Sequence, residues 1–299
     1  MKPFGWKGLK LSDMNKRVAE FCEKHSDNTI KCGLCPHSCI IPDNTIGMCG
    51  VRVNTDGKLF AESYGKVTSV ALDPIEKKPL YHFYPGSKIV SIGSYGCNLK
   101  CQFCQNSGIS MQYKGIKTEQ MTPELLTEVA LLAIKDGNVG VAYTYNEPLI
   151  GYEFIKDCST MIKKEGLKNV LVTNGYINDE PLDELLPYID ALNIDIKGYS
   201  DRTYNKLGGT LEPVKNTIIK ASKLCHVEVT TLIIPGENEN EVEDIAKWLS
   251  EQSNEIPYHL SRFFPRYNYS DRSPTPLELM HSLKTKAQKH LKSVHLGNM

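Results

Sequence analysis

The sequence has no long hydrophobic run. Its longest uninterrupted apolar stretch, Val129 to Ile134, is six residues, against the roughly 20 a membrane-spanning helix needs. A membrane is therefore not an expected partner. The first ten residues, MKPFGWKGLK, lack the apolar core of a secretory leader. Charge of neither sign is in excess, since 35 Lys and Arg balance 35 Asp and Glu. That balance removes the electrostatic case for nucleic acid as a partner. Internal repeats and low-complexity stretches are absent too. Hydrophobic residues make up 40% of the 299, which excludes a disordered or collagenous chain and is enough for one large domain, with or without an appendage.

Cysteine is what the sequence has in quantity. There are ten, seven of them in two tight groups: Cys32, Cys35, Cys39 and Cys49, then Cys97, Cys101 and Cys104. Disulfide-built proteins are short and exported, and this chain is long with no export signal. Clustered thiols in a reducing compartment are metal ligands, so the reading is a cytoplasmic metalloprotein. Cys22, Cys158 and Cys225 fall on expected helices or their ends and read as small hydrophobes.

Two parts are expected, residues 1–86 and 87–299. In the first, Met14, Val18, Phe21 and Cys22 recur at helical spacing, which predicts a helix over Leu11 to His25. The four-cysteine segment follows, then a hairpin around Asp56-Gly57, then a proline-rich loop, DPIEKKPLYHFYPG. In the second part, β-rich runs at Lys88–Ser94, Val139–Tyr145, Asn169–Asn174, Ala191–Lys197, His226–Ile234 and Tyr258–Phe264 alternate with helical stretches. Thr122-Pro123 starts one helix, and Gly137 ends it. The fold class is α/β, a partial (β/α)6 barrel of the TIM type with chemistry at the C-terminal strand ends. Asn193, Asp195 and Lys197 share a strand face, and Glu228 with Thr230 and His259 with Ser261 repeat the pattern. A solvated edge strand alternates in the same way. Three such strands favour a polar, ligand-filled barrel interior.

The run SIGSYGCNLKCQFCQN places Cys97, Cys101 and Cys104 at C-x3-C-x2-C just after the first expected barrel strand. Ordinary iron–sulfur clusters take four thiolates. Three leave one iron of a [4Fe-4S] cluster open, as catalytic metal centres require; zinc and a chance cluster are the bland alternatives.

This spacing, with Phe103 before the last cysteine, resembles the signature of the radical S-adenosylmethionine (SAM) enzymes. The resemblance runs from about Lys88 to Phe264 and includes motifs of the pyruvate formate-lyase activating enzymes. It implies a [4Fe-4S] cluster whose open iron chelates SAM, a 5′-deoxyadenosyl radical, and a low-potential electron donor such as ferredoxin or flavodoxin. Asn106 makes C-x-N with Cys104, as in those enzymes. Their Gly-Gly-Glu-Pro turn is matched at Glu147-Pro148, with Tyr145-Asn146 in place of the glycines. Their Asp-Thr-Asn-Gly is matched at Thr173-Asn174-Gly175, with Val172 in place of the aspartate. Their Asp-Leu-Lys is Asp195-Ile196-Lys197, and their strand-five arginine corresponds to Thr230. The resemblance thus implies Phe103, Asn146, Glu147, Thr173, Asn174 and Asp195 as SAM contacts, and Asp195 and Lys197 as catalytic residues.

The N-terminal group, Cys32-x2-Cys35-x3-Cys39 with Cys49, has enough thiols to close a site for zinc or a second [4Fe-4S] cluster. His37 is a substitute ligand. The 47 residues between Cys49 and Cys97 give no reason to bring the two groups together. The pattern CGLCPHSC, then GMCGVRVN, then the proline-rich loop and GCNLKCQFCQN resembles the radical SAM member of the AmmeMemoRadiSam system, extending the likeness to nearly the whole chain. The expected function is hydrogen abstraction from a small polar molecule or a protein, by an oxidoreductase-type enzyme, with a Memo-type protein as a further implied partner. Alternatives are a glycyl-radical activase of the pyruvate formate-lyase type, a non-catalytic iron–sulfur electron carrier and a zinc-ribbon interaction protein.

Overall fold

The computed structural model describes residues 16–299. All six expected parallel strands form, in one eight-stranded sheet. In chain order its members are β1 (Ser69–Pro74), β2 (Lys88–Gly93), β3 (Asn138–Tyr143), β4 (Lys168–Thr173), β5 (Ala191–Asp195), β6 (His226–Ile233), β7 (Tyr258–Arg262) and β8 (Val294–Gly297). Spatial order follows chain order from one edge to the other. From β2 to β8 every pairing is parallel, and β1 runs antiparallel beside β2. The edge strands β1 and β8 do not pair with each other, which leaves the barrel partial. Among the described residues no helix is long and apolar enough to cross a membrane.

Helices fill the crossovers: α1 (Pro123–Leu132), α2 (Tyr152–Lys164), α3 (Asp179–Leu185), α4 (Glu212–Ala221), α5 (Val242–Gln252) and α6 (Leu277–Ala287), with a shorter helix over Asp201–Lys206. Their caps explain their limits. The Thr122 side chain accepts from Leu125 N with Pro123 at the first helical position, and Gly137, at φ 89°, stops the one-turn extension of α1. One strand face, with Val90, Val141, Leu171, Leu192, Val229 and Leu260, packs with helix residues such as Leu126, Ile155, Leu182, Ile218, Ile245 and Leu283 in a single buried cluster. Period-2 and period-3.6 patterns therefore meet on the same apolar layer.

Two strands escape the sequence patterns. β8 is only four residues and contains a histidine. β1 lies on the N-terminal side of residue 87 and joins the main sheet. The helix expected over Leu11 to His25 is corrected within the described residues, while its first residues, Leu11 to Asn15, lie outside them. Val18 bridges Phe60, and Cys22–Ser26 is a strand paired antiparallel with Thr29–Cys32. Val18 is 55% exposed and all of Cys22–Ser26 is exposed. Ala19 and Phe21 pack inward while Val18 and Cys22 face solvent, so the buried side chains do not form the apolar stripe from which most helical stability comes. Cys22 is likewise an exposed strand residue, not a buried helical one. The expected hairpin forms, as Arg52–Thr55 against Lys58–Ala61.

The proline-rich loop does more than connect. It enters the barrel at the N-terminal ends of the strands and consumes the polar inner face. Asn193 donates to Pro79 O at 2.8 Å and accepts from Thr230 Oγ1 at 2.9 Å. The buried Glu228 carboxylate accepts from Tyr81 N at 3.1 Å and His82 N at 2.8 Å, and contacts His226 Nε2 at 2.9 Å and His259 Nε2 at 2.6 Å. Tyr81 packs edge-on against His259, and His82 Nε2 meets His295 Nε2 at 2.8 Å across on β8. The expected ligand-filled interior is thus corrected for this layer: Asn193, Glu228, Thr230 and His259 satisfy one another and a plug of the chain's own backbone.

Burial opposes ionisation of Glu228, but the donors from His226, His259, His82 and Tyr81 outweigh it and hold the carboxyl at about 2. A carboxyl depressed on folding adds stability above its unfolded value and loses it as pH falls toward the folded one. The window here runs from about 4.5 down to about 2. Across it wild type should lose on the order of 3 kcal/mol more stability than Glu228→Gln, by urea denaturation at stepped pH. Equal acid sensitivity in both proteins would mean that the plug does not hold this carboxylate.

Candidate metal centre

The three-cysteine loop, residues 94–106, leaves β2 at its C-terminal end. It has little secondary structure, and side-chain amides tie it to the neighbouring strand ends. Asn146 accepts from Ser94 N at 2.9 Å and donates to Tyr95 O at 3.0 Å, Gly96 O at 3.2 Å and Glu147 O at 3.1 Å. Asn98 donates to Tyr176 O at 2.7 Å. Asn106 donates to Tyr145 O at 2.6 Å. Gly96 sits at φ 83°, where a Cβ would stand 2.6 Å from Cys49 O, so both its conformation and its surroundings require glycine.

Cys97 and Cys101 are buried and Cys104 is half-buried. Burial pushes all three thiols up, Cys101 to about 11 against the pull of Lys197. They are neutral thiols until a metal takes their protons. Their surroundings fit that change. Leu99 N points at Cys97 Sγ at 3.4 Å and Asn174 Nδ2 at 3.7 Å, while the Asn106 N–H faces Cys104. Sulfurs that accept N–H groups are prepared to carry negative charge. Cys22 and Cys225 do the opposite, donating to Ala19 O and Ala221 O, as free thiols do.

The matched residues converge on this loop, several as struts. Glu147 is 3% exposed. Its carboxylate accepts from Thr173 Oγ1 at 2.6 Å, Asn174 N at 2.8 Å and Leu149 N at 3.0 Å. Burial raises it to about 7 against these donors. Asn174 donates to Asn98 Oδ1 at 2.9 Å and accepts from Tyr176 N at 2.8 Å. Asn146, Glu147, Thr173 and Asn174 therefore lock the ends of β3 and β4 to the cysteine loop. Phe103 packs against Tyr269 at 6.0 Å, and both line a small cavity with Lys197, Lys206 and Glu237. Asp195 Oδ2 pairs with Lys197 Nζ at 2.8 Å, the side chains 30% and 14% exposed. Asp195 and the Cys101 sulfur both raise Lys197, against its burial, so this pair lies within electrostatic reach of the cysteine loop.

Sequence reasoning missed a second constellation. Tyr145 adopts φ 73° where the activating enzymes have glycine. Its ring crosses Gly93, where a Cβ would lie 2.8 Å away, and its hydroxyl donates to Asp73 Oδ2 at 2.6 Å. The buried Lys78, from the plug, pairs with Asp73 at 2.8 Å and sits 4.7 Å above the Tyr145 ring. The departure from glycine at position 145 was the available signal.

The N-terminal cysteines form their own group. Cys32, Cys35, Cys39 and Cys49 line one small cavity together with His37 and Arg52. The N–H groups of Leu34, His37 and Val51 face the sulfurs of Cys32, Cys35 and Cys49, the same offset of two residues seen at Cys97 and Cys104. Burial raises Cys35 to about 12. Arg52 is buried and binds Glu153 of α2 through both terminal nitrogens, at 3.0 and 3.1 Å, while its Nε has no partner. A buried donor on the cavity wall suits an anionic metal–sulfur group. Among the described residues no three His, Cys, Asp or Glu converge on a single-ion site, and this applies to both cysteine groups alike.

The two groups keep their own cysteines but lie side by side, which the 47 residues between them gave no reason to expect. Cys97 N donates to Cys49 O at 3.2 Å, and His37 Nε2 lies 2.6 Å from Asn98 O. Lys100 Nζ reaches both Met48 O and Cys97 O. Asn178, after β4, donates through its backbone to Leu34 O and through its side chain to Gly33 O.

Comparisons with known proteins agree with this geometry. Residues 91–249 match the model of the radical SAM superfamily. Protein MJ0808 of Methanocaldococcus jannaschii is 45% identical over 290 residues, covering 95% of this chain and 85% of its own. The pyruvate formate-lyase 1-activating enzyme of Escherichia coli K12 is 28% identical over 193 residues, 58% of this chain and 75% of its own. In fold, a radical SAM methyltransferase from Sphaerobacter thermophilus superposes with TM-score 0.53 at 15% identity, over 72% of this chain and 67% of that one. Streptococcus suis SuiB bound to SAM gives 0.52 at 12% identity, over 68% of this chain and 48%, about half, of its own length. The three-cysteine loop at the mouth of a partial barrel, matched across more than half its length, makes this chain a member of the radical SAM superfamily.

Proposed function

We propose that the chain holds a [4Fe-4S] cluster on Cys97, Cys101 and Cys104, binds SAM at its open iron, and abstracts hydrogen from a small polar substrate or a protein. The observation that carries this reading is a loop of three cysteines whose sulfurs face N–H donors and the Lys197 ammonium, at the C-terminal mouth of the strands. When bound, the cluster and SAM supply a 5′-deoxyadenosyl radical on one-electron reduction. The chain's own tasks are orientation and exclusion of water. Asn146, Glu147, Thr173 and Asn174 set the loop's position. Phe103 and Lys197 line the small cavity beside the loop, and Asp195 pairs with Lys197, the charged pair orienting SAM or substrate. A low-potential donor, a flavodoxin or ferredoxin, supplies the electron in the cytoplasm.

Three finer readings belong to the same proposal. The chain is the radical SAM member of the AmmeMemoRadiSam group, with a Memo-type protein as partner. Residues 1–86 and 87–299 act as a metal-bearing segment and a catalytic barrel. The four N-terminal cysteines hold a second metal group, zinc or a cluster, supported by their shared cavity and the unpartnered Arg52 Nε. The second functional reading, a glycyl-radical activase, is favoured by the likeness to the pyruvate formate-lyase activating enzyme. Deuterium transfer from labelled candidates into 5′-deoxyadenosine separates a small-molecule substrate from a protein one.

Two substitutions test the core of the reading. Cys101→Ser should abolish 5′-deoxyadenosine formation from SAM under reduction. Lys197→Met should keep the iron content and lower turnover about a hundredfold. Persistent SAM cleavage by Cys101→Ser would refute the catalytic assignment. Glu147→Gln turns an amide N–H toward one of three donors, so urea denaturation should register a loss of about 1–3 kcal/mol; a neutral result would remove Glu147 from the frame.

A further inference from the structure

Two short routes join the cysteine groups. One is the hydrogen bond from Cys97 N to Cys49 O, which runs between the backbones of two cysteines, one from each group. The other passes through amides. The Asn98 side chain faces the Cys35 sulfur, its Oδ1 accepts from Asn174 Nδ2 at 2.9 Å, and the same Nδ2 points at Cys97 Sγ at 3.7 Å. Two side chains and three non-covalent contacts thus separate Cys35 from Cys97. By the first route the bonded path between the Cys49 and Cys97 sulfurs has a contour of about 14 Å, an upper limit on their separation.

Each group has one half-buried cysteine, Cys39 in the N-terminal group and Cys104 in the other, with the rest buried. Beside Cys39 the apolar side chains of Ile40, Ile46 and Met48 stand in solvent. That apolar rim gives a donor protein a face to dock on over the N-terminal group. A zinc ion there would be redox-inert. A multi-iron cluster on the same four thiols makes use of the contacts between the groups.

Resting on the reading that Cys97, Cys101 and Cys104 hold the catalytic cluster, we propose that Cys32, Cys35, Cys39 and Cys49 hold a redox-active four-iron cluster that is the electron entry to it, across the Cys49–Cys97 hydrogen bond and the Asn98–Asn174 amide bridge. The balance is simple. A low-potential one-electron donor of the flavodoxin or ferredoxin class is oxidised by one electron. The N-terminal cluster is reduced and reoxidised in turn, and the catalytic cluster ends one electron richer. No bond forms or breaks, and no proton needs to move.

The test uses the full chain, reconstituted anaerobically with iron and sulfide. Wild type should contain the iron of two four-iron clusters and no zinc. Reduced without SAM, it should show an electron paramagnetic resonance spectrum broadened by two neighbouring spins. The Cys35→Ser, Cys39→Ser double variant should contain half the iron and give one unbroadened signal. Its rate of cluster reduction by flavodoxin, divided by the rate with dithionite, should fall at least about tenfold. Zinc in place of the second cluster, two magnetically isolated clusters, or an unchanged rate ratio would each overturn the proposal. The wild-type measurements stand even if the variant does not fold. Failure of the catalytic reading looks different, because SAM would then leave every cluster signal unperturbed.

Discussion

A buried loop with almost no secondary structure must find partners for its backbone, and here distant backbone groups and the Asn146 amide supply them. Asn146 alone makes four contacts around the start of the three-cysteine loop. Asn98 and Asn174 bond each other and reach in opposite directions, to the N-terminal cysteines and to Cys97. Neutral amides provide donors and acceptors without adding charge. That suits a site where buried thiols must change protonation when metal arrives. Each amide is anchored by a strand end, so the loop's geometry is inherited from the sheet. Glu147, fixed by two donors from the end of β4 and one from its own turn, keeps two of those ends together.

The barrel is divided by height. Its lower interior is filled by a returning segment of chain, with Glu228 receiving hydrogen bonds from plug and strands together. Asp73 and Lys78, beside Ile89 at the start of β2, belong to this lower layer, and the Tyr145 hydroxyl reaches down to them from the strand ends. Asp195 and Lys197, at the end of β5, are the charged pair on the side of the cysteine loop. A charged or strongly polar substrate matches that pair better than an apolar one.

The N-terminal segment is integrated with the barrel through few but directed contacts. Arg52 in its hairpin and Glu153 in α2 form a fully buried bidentate pair. Such a pair contributes geometric definition more than net stability. It holds the four-cysteine cavity against the helix while Asn178 and Lys100 hold it against the loops. The two cysteine groups thereby become neighbours in one frame.

Strand and helix periodicity made the six central βα units legible, because apolar burial acts locally and repeats with the backbone. The C-x3-C-x2-C spacing likewise marked the catalytic loop, since three ligands for one cluster must lie close in sequence to share a turn. Beyond this the sequence was silent. β8 and β1 are strands because a neighbouring sheet edge needs pairing, and the segment around Val18 is extended because Ala19 and the hairpin edge pair through the backbone. The inward polar residues of β5, β6 and β7 looked like ligand contacts, yet Asn193 and Glu228 bond the plug, a segment over 100 positions away, and Thr230 and His259 bond those two. The same holds for the two cysteine groups. Their internal spacings are local and readable, whereas the hydrogen bond from Cys97 to Cys49 exists only after a hairpin, an edge strand and the plug have folded the chain back on itself.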